Sequence, residues 1–231
     1  MSRRNKLLKF AEILAFPNVF EVLGEYSPNP SLSGERGKPV EMKGNWNTNY
    51  FKNNNPITLE LACGKGDYTI GLARMYPDRN FIGVDIKGNR IWRGAKTALE
   101  EKLDNVAFLR TRIEQIDHFF AKDEVSEIWI TFPDPFLNKE SRRLTALPFL
   151  KLYQKFLKME GIVHLKTDSA ELYEYTVEAS LPNQDIFEMI YQNADIYKDK
   201  LILKELELKT FYEKKHLANG KKITYVQCKL R

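Results

Sequence analysis

The sequence is short of the residues that staple or metallate small proteins. Its 231 residues include two cysteines, Cys63 and Cys228, and three histidines, His118, His164 and His216. Two distant cysteines make no disulfide framework, and no Cys/His run has the spacing of a metal site. A Ser-His-Asp nucleophilic set is equally absent, and His164 lies in an apolar stretch that reads as core. No apolar run approaches the ~18 residues of a membrane span. The N-terminus carries Arg3, Arg4, Lys6 and Lys9 but no long apolar stretch with a small-residue cleavage site, so it does not read as a secretory signal. These absences predict a cytoplasmic protein with no metal and no membrane partner. Charge of one sign is in small excess only, 36 Lys+Arg against 31 Asp+Glu, for a net +5. Its distribution says more. Basic residues gather at Arg3-Arg4-x-Lys6, at Lys139-x-x-Arg142-Arg143, and at Lys214-Lys215-His216 with Lys221-Lys222. Such clusters suit a polyanionic partner as well as a solvated surface.

The most informative stretch begins at residue 57. The apolar run Ile57-Thr58-Leu59-Glu60-Leu61 reads as a buried strand, passes into Gly64-x-Gly66, and gives way to helical spacing from Thr69. Glycines at that junction let the backbone turn tightly and a ligand approach closely. A second apolar run, Phe81-Ile82-Gly83-Val84, ends at Asp85, about twenty residues past the first glycine, the spacing of a ribose-binding carboxylate. A dinucleotide site would want a third glycine where Thr69 stands. Glu60 and Asp67 add negative charge that suits no pyrophosphate. Acids, a ribose-binding position and no phosphate cradle favour S-adenosylmethionine, whose ammonium and sulfonium are cationic. A nicotinamide cofactor and an ordinary turn in an α/β protein are the rival readings.

The rest of the chain alternates. The pattern predicts strands at 57–61, 80–85, 106–110, 126–132 and 161–166, with helices at 66–76, 88–103, 113–121, 141–158 and 169–180. Alternation of this kind means a parallel sheet covered on both faces. Near the end, Asn219-Gly220 before the strand 223–228 predicts a hairpin turn, and with it an antiparallel closure of the sheet. At the start, residues 3–16 read as an amphipathic helix built on Leu7, Leu8, Ile13 and Leu14, stopped by Pro17. Residues 17–56, with Ser27-Pro28-Asn29-Pro30 and Asn53-Asn54-Asn55-Pro56, read as a long loop. The expected organisation is a basic arm and loop over 1–56 and an S-adenosylmethionine-dependent methyltransferase domain over 57–231, a Rossmann-like α/β fold.

The fourth predicted strand runs directly into Phe132-Pro133-Asp134-Pro135. Ligands of doubly wound sheets lie outside the carboxyl ends of the strands, so a carboxylate held there between two prolines is a candidate reacting group. With this element in place the chain resembles the bacterial tRNA (guanine-N7-)-methyltransferases. The resemblance rests on Leu59-Glu60-x-x-Cys63-Gly64-x-Gly66, Gly83-Val84-Asp85-Ile86-Lys87, Phe132-Pro133-Asp134-Pro135, Lys166-Thr167-Asp168 and Thr210-Phe211-Tyr212-Glu213. The first two are common to many methyltransferases; the last three together are specific. The resemblance implies methyl transfer from S-adenosylmethionine to N7 of a guanosine in the tRNA variable loop. It implies that Glu60, Gly64, Gly66 and Asp85 bind the cofactor, that Asp134 sits between cofactor and guanine as the catalytic carboxylate, and that Asp168, Thr210, Phe211, Tyr212 and Glu213 bind the guanosine.

Three positions depart from the family pattern. Arg112 stands where the family usually has an adenine-side Asp, which shifts that contact to the backbone at Ile113. Phe136, with Asn138 or Lys139, replaces the usual Trp and Lys in a shortened loop, and the segment after Tyr212-Glu213 reads Lys214-Lys215-His216. A methyltransferase of another RNA and a non-catalytic RNA-binding subunit are the alternatives. Monomer and homodimer both remain open.

Overall fold

The computed structural model describes residues 3–21, 42–180, 183 and 185–231. The chain opens with a helix, α1 (Arg3–Ile13), and a short strand, β1 (Val19–Glu21). Then β2 (Ile57–Leu61), α2 (Asp67–Met75), β3 (Asn80–Asp85), α3 (Gly88–Glu100), β4 (Val106–Arg110) and β5 (Val125–Thr131) follow in the predicted alternation. The second half contains α4 (Leu147–Tyr153), β6 (Leu157–Thr167), α5 (Ala170–Ser180), β7 (Phe187–Asn193), α6 (Phe211–Ala218) and β8 (Thr224–Leu230). One eight-stranded sheet runs in the order β1-β4-β3-β2-β5-β6-β8-β7. Its first six strands are parallel, while β8 pairs antiparallel with both β6 and β7. The α/β class and the antiparallel closure follow the sequence expectation. Among the described residues no helix is long and apolar enough to cross a membrane.

The central strands are buried on both faces, β2 and β3 along their whole length, as a parallel sheet sandwiched by helices requires. Their side chains alternate between two cores. Leu59, Leu61, Ile82, Val84, Leu109, Ile128 and Ile130 fill one. Tyr68, Phe81, Phe108, Trp129 and Tyr225 fill the other.

Several expected elements differ. The loop reading of 17–56 gives way at two places: β1 adds a parallel strand beside β4, and Trp46 and Phe51 of a tight π-helical turn, Trp46–Phe51, enter the core. Trp46 stacks on Phe120 with its indole N–H donating to the Phe119 carbonyl. The motif Ser27-Pro28-Asn29-Pro30 and the side chains of Arg3, Arg4 and Lys6 lie outside the described residues. Of the apolar residues expected to pack here, Ile13 at the end of α1 is buried, Leu8 and, just past the helix, Leu14 are about half exposed, and the Leu7 side chain lies outside the described residues. The helix docks on α3, where Glu12 accepts from the Trp92 indole at 2.6 Å and Lys9 sits over the same ring.

Residues 113–118 form a 3-10 turn rather than a full helix, and the expected helix 141–158 is only α4 with a 3-10 turn before it, because β6 begins at Leu157. The strand β7 was not anticipated. Asn219-Gly220 is not a hairpin turn. Asn219 caps α6 and Gly220, at φ +70°, follows it; the Gly220 N–H donates to Leu217 and the Lys221 N–H to His216, a Schellman ending. Thirty residues separate β7 from β8, and they build part of the site.

Candidate active site

The chain leaves β2 in one direction toward β3 and β4 and returns to place β5 on its other side. That reversal opens a crevice at the carboxyl ends of β2 and β5. Left-handed backbone marks both ends: Ala62 at φ 56° directly after β2, and Phe132 at φ 49° directly after β5. Non-glycine residues hold this conformation at a cost of roughly 1–2 kcal/mol, and such positions concentrate at working sites.

The glycine loop carries Gly64 at φ +58° and Gly66 at φ +73°. A Cβ on Gly64 would meet only the Ala62 carbonyl, at 4.0 Å, so this backbone faces open space a ligand could fill. A Cβ on Gly66 would strike the Phe108 ring at 2.7 Å. The missing third glycine has a structural explanation. Thr69 fits on α2 because Gly83 lies opposite on β3, where an added Cβ would come 2.9 Å from the Thr69 hydroxyl.

That threonine is needed. Its N–H and its hydroxyl donate to Glu60 Oε2 at 2.7 and 2.5 Å, while the Thr131 hydroxyl donates to Glu60 Oε1 at 2.7 Å. Glu60 therefore ties β2, the first turn of α2 and the end of β5 together beneath the crevice. Its burial pushes the carboxyl up to about 7, against the hydrogen bonds from Thr69 and Thr131, which lower it.

Asp85 closes β3 at 6% exposure. Its Oδ2 accepts from the Gly64 N–H at 2.9 Å and its Oδ1 from the Lys87 N–H at 2.7 Å. The structure thus brings the predicted ribose carboxylate onto the glycine loop itself. Arg112 is exposed just beyond β4, and the neighbouring Ile113 packs against the core.

Asp134 is exposed, and its Oδ1 accepts from the Phe136 N–H at 3.1 Å. Asn138 and Lys139 follow on an exposed turn in which the Lys139 N–H donates to the Phe136 carbonyl. Of the basic run here, Arg142 is exposed but Arg143 is not: it is 1% exposed and turned inward. At the end of β6, Asp168 lies 2.6 Å from Lys221 Nζ and 3.3 Å from His216 Nδ1. His216 also stacks on Phe132, with ring centroids 6.0 Å apart.

The segment 210–213 arrives from the far end of the sequence. Thr210 caps α6 by accepting from the Glu213 N–H at 3.1 Å. The Phe211 N–H donates to Asp67 of the glycine loop at 3.0 Å, and Lys65 Nζ stands 4.4 Å over the Phe211 ring. Phe211 and Tyr212 are exposed at this junction. Glu213 is different: its carboxylate is fully buried beneath the junction, paired at 2.8 Å with Lys166, and accepts from the Tyr197 hydroxyl at 2.6 Å.

Sequence reasoning missed Lys166, Tyr197 and the inward role of Arg143. Lys166 had a signal: a lysine within the apolar run Ile162-Val163-His164-Leu165 must find a counter-charge when buried. Burial pulls its amine below the usual lysine value, against Glu213, which raises it. His164 is core as expected. It stacks on Trp129 at 3.8 Å, bonds the Tyr225 hydroxyl at 2.7 Å, and burial lowers it to about 3, so it stays neutral.

A family model described as "Putative methyltransferase" matches residues 54–226. The tRNA (guanine-N(7)-)-methyltransferase of Christiangramia forsetii is 50% identical over the whole of both chains. That of Bacteroides thetaiotaomicron is 48% identical over 98% of this chain and 86% of its own. The chain belongs to the tRNA (guanine-N7-)-methyltransferase family. The 30S ribosomal A1408 methyltransferase from an uncultured bacterium, 16% identical, superposes with a TM-score of 0.58 over 79% of this chain and 91% of its own, and shares the fold. The family's cofactor, S-adenosylmethionine, fits what is present. Gly64 leaves room for it, Asp85 supplies acceptors at the loop, and the nearby acids Asp67 and Asp134 favour a cation. Among the described residues no group of three or more His, Cys, Asp and Glu is placed to hold a metal ion.

Proposed function

We propose that this protein methylates N7 of a guanosine in the variable loop of tRNA, using S-adenosylmethionine, in the cytoplasm. The observation that carries the reading is the exposed Asp134 carboxylate, held on a turned loop at the crevice between β2 and β5. The names of the relatives at 48–50% identity support the substrate.

Bound in the crevice, S-adenosylmethionine supplies an electrophilic methyl group on a sulfonium. Asp85 would hold the ribose hydroxyls, with Gly64 and Gly66 giving the backbone room and Ile113 the adenine-side contact beside Arg112. Glu60 acts from below, fixing the loop through Thr69 and Thr131. Guanine N7 has an in-plane lone pair and no proton, so no strong base has to act first. It lies on the major-groove edge, and the enzyme must reach that edge or draw the base from its stack. The residues then work by positioning and by favouring the positive charge that moves onto the purine.

Asp134 accepts from the guanine amino or N1–H edge. Asp168 is a second acceptor once Lys221 and His216 give way. Thr210, Phe211 and Tyr212 form the wall on which the nucleoside rests, and Glu213 holds that wall through Lys166. Asn138, Lys139 and Arg142 face the phosphates.

The test pairs Asp134→Ala with tRNA carrying 7-deazaguanine at the target. The variant should lose single-turnover methyl transfer far more than tRNA affinity, since an interaction made in the transition state appears in the rate. The deaza substrate should bind and accept no methyl. Robust methylation of it would move the acceptor to another atom and end the guanine-N7 reading.

A further inference from the structure

We propose that Arg143 is a positioning residue of this active site: its buried guanidinium fixes the Pro135 peptide and so aims the Asp134 carboxylate at the target base. The inference rests on the methyl-transfer reading above. In sequence, Arg143 belongs to a basic run facing a polyanion. In the structure it is among the largest fully buried side chains, at 1% exposure. Its Nε–H donates to the Pro135 carbonyl at 3.0 Å, its Nη2 reaches Glu171 of α5 at 2.7 Å, and its Nη1 stands 3.6 Å from Glu140. The guanidinium lies 4.5 Å from the Tyr175 ring centre, again on α5.

The acceptor chosen by Nε is the telling feature. A cation buried only for packing could be replaced by an apolar side chain of similar volume at little cost. Here one rigid fork spans the loop and the helix at once, and only a guanidinium can do so. The Pro135 carbonyl shares its peptide unit with the Phe136 N–H, and Phe136 sits at φ 43°. The Phe136 N–H takes up Asp134 Oδ1, leaving Oδ2 without a hydrogen bond among the described residues. Holding the Pro135–Phe136 peptide by its carbonyl therefore fixes the N–H that binds Oδ1, and with it where Oδ2 points. Lysine in this place would keep the charge and lose the two-ended hold. The second carboxylate, Glu171, is half exposed, so altering it perturbs the fork without emptying the core.

The experiment uses the full-length protein, unmodified tRNA and S-adenosylmethionine, both saturating, in single-turnover assays on wild type, Arg143→Lys and Glu171→Gln. Arg143→Lys should slow methyl transfer by about tenfold or more, as misplacing a reacting group does. Its dissociation constants for tRNA and cofactor should stay within roughly twofold of wild type. Glu171→Gln should show the same signature, a loss of about two- to fivefold in rate with affinities unchanged. Wild-type rates in both variants would overturn the proposal. So would a parallel fall of rate, both affinities and melting temperature, which marks a purely structural arginine. If Arg143→Lys does not fold, Glu171→Gln alone decides by the same split. A wild type that forms no 7-methylguanosine removes the methyl-transfer reading, and this proposal with it.

Discussion

Glu213 Oε1 lies 2.8 Å from Lys166 Nζ, and neither side chain is exposed to solvent. The pair joins the start of α6 to β6 from beneath, and Lys166 also donates to the carbonyls of Leu206 and Leu208 at 3.0 and 2.9 Å. Removing one partner strands a buried charge, at a cost of about 3–5 kcal/mol. Glu213→Ala should lower stability by that order in urea titrations and loosen the segment 204–213. Glu213→Gln, which keeps the Tyr197 bond, should cost less. An alanine variant as stable as wild type would show that the pair is not buried.

Asp85 holds the glycine loop and, in the proposed function, the cofactor ribose as well. Asp85→Ala removes the acceptor of the Gly64 and Lys87 N–H groups. Each charge-assisted hydrogen bond that it would make to a ribose hydroxyl in the proposed function is worth about 1.5–3 kcal/mol. Calorimetry should therefore show at least about tenfold weaker S-adenosylmethionine binding. Unchanged affinity in the folded variant would take Asp85 out of the cofactor site.

Glu60 gives stability a pH dependence of known sign. Its carboxyl sits at about 7 in the fold against an ordinary value of 4.5. Between those values the folded protein holds a proton that the unfolded chain has released. This contribution therefore favours the fold below pH 4.5, declines as pH rises, and is flat above about 7. Its full span is on the order of 3 kcal/mol. Glu60→Gln should remove that decline from a pH series of urea titrations. An identical decline in wild type and variant would assign it elsewhere.

The N-terminal helix is a packed element. Ile13 is 1% exposed, and Arg110 links β1 to the turn after β3: its Nη1 reaches Glu21 at 3.2 Å, its Nε donates to the Ile86 carbonyl at 3.2 Å, and it lies over Phe10. Ile13→Ala should cost about 2–4 kcal/mol, as emptying a buried site does. A basic arm that only touched RNA would show no such loss in RNA-free denaturation.

The central motifs were legible because their chemistry is local. Gly64, Gly66 and Asp85 follow from strand, turn and spacing, and Asp134 from two prolines at a strand end. The sheet class was legible from alternation of apolar runs. Asn219-Gly220 was misread because the same dipeptide satisfies a hairpin turn and a helix end, and only the preceding α6 distinguishes them.

What the sequence alone determined is the α/β class and the local motifs, the glycine loop after β2, Asp85 at the end of β3 and the Pro-Asp-Pro turn after β5, since each depends on neighbours in the chain. Only the tertiary structure decided which charges are buried. Arg143 and Glu213 look like surface residues in sequence, and both are taken inward by partners distant along the chain: Glu171 on α5 for one, Lys166 on β6 for the other. Burial of a charge is tolerated only where a counter-charge meets it, and that meeting is made by the packing of α5, α6 and β6.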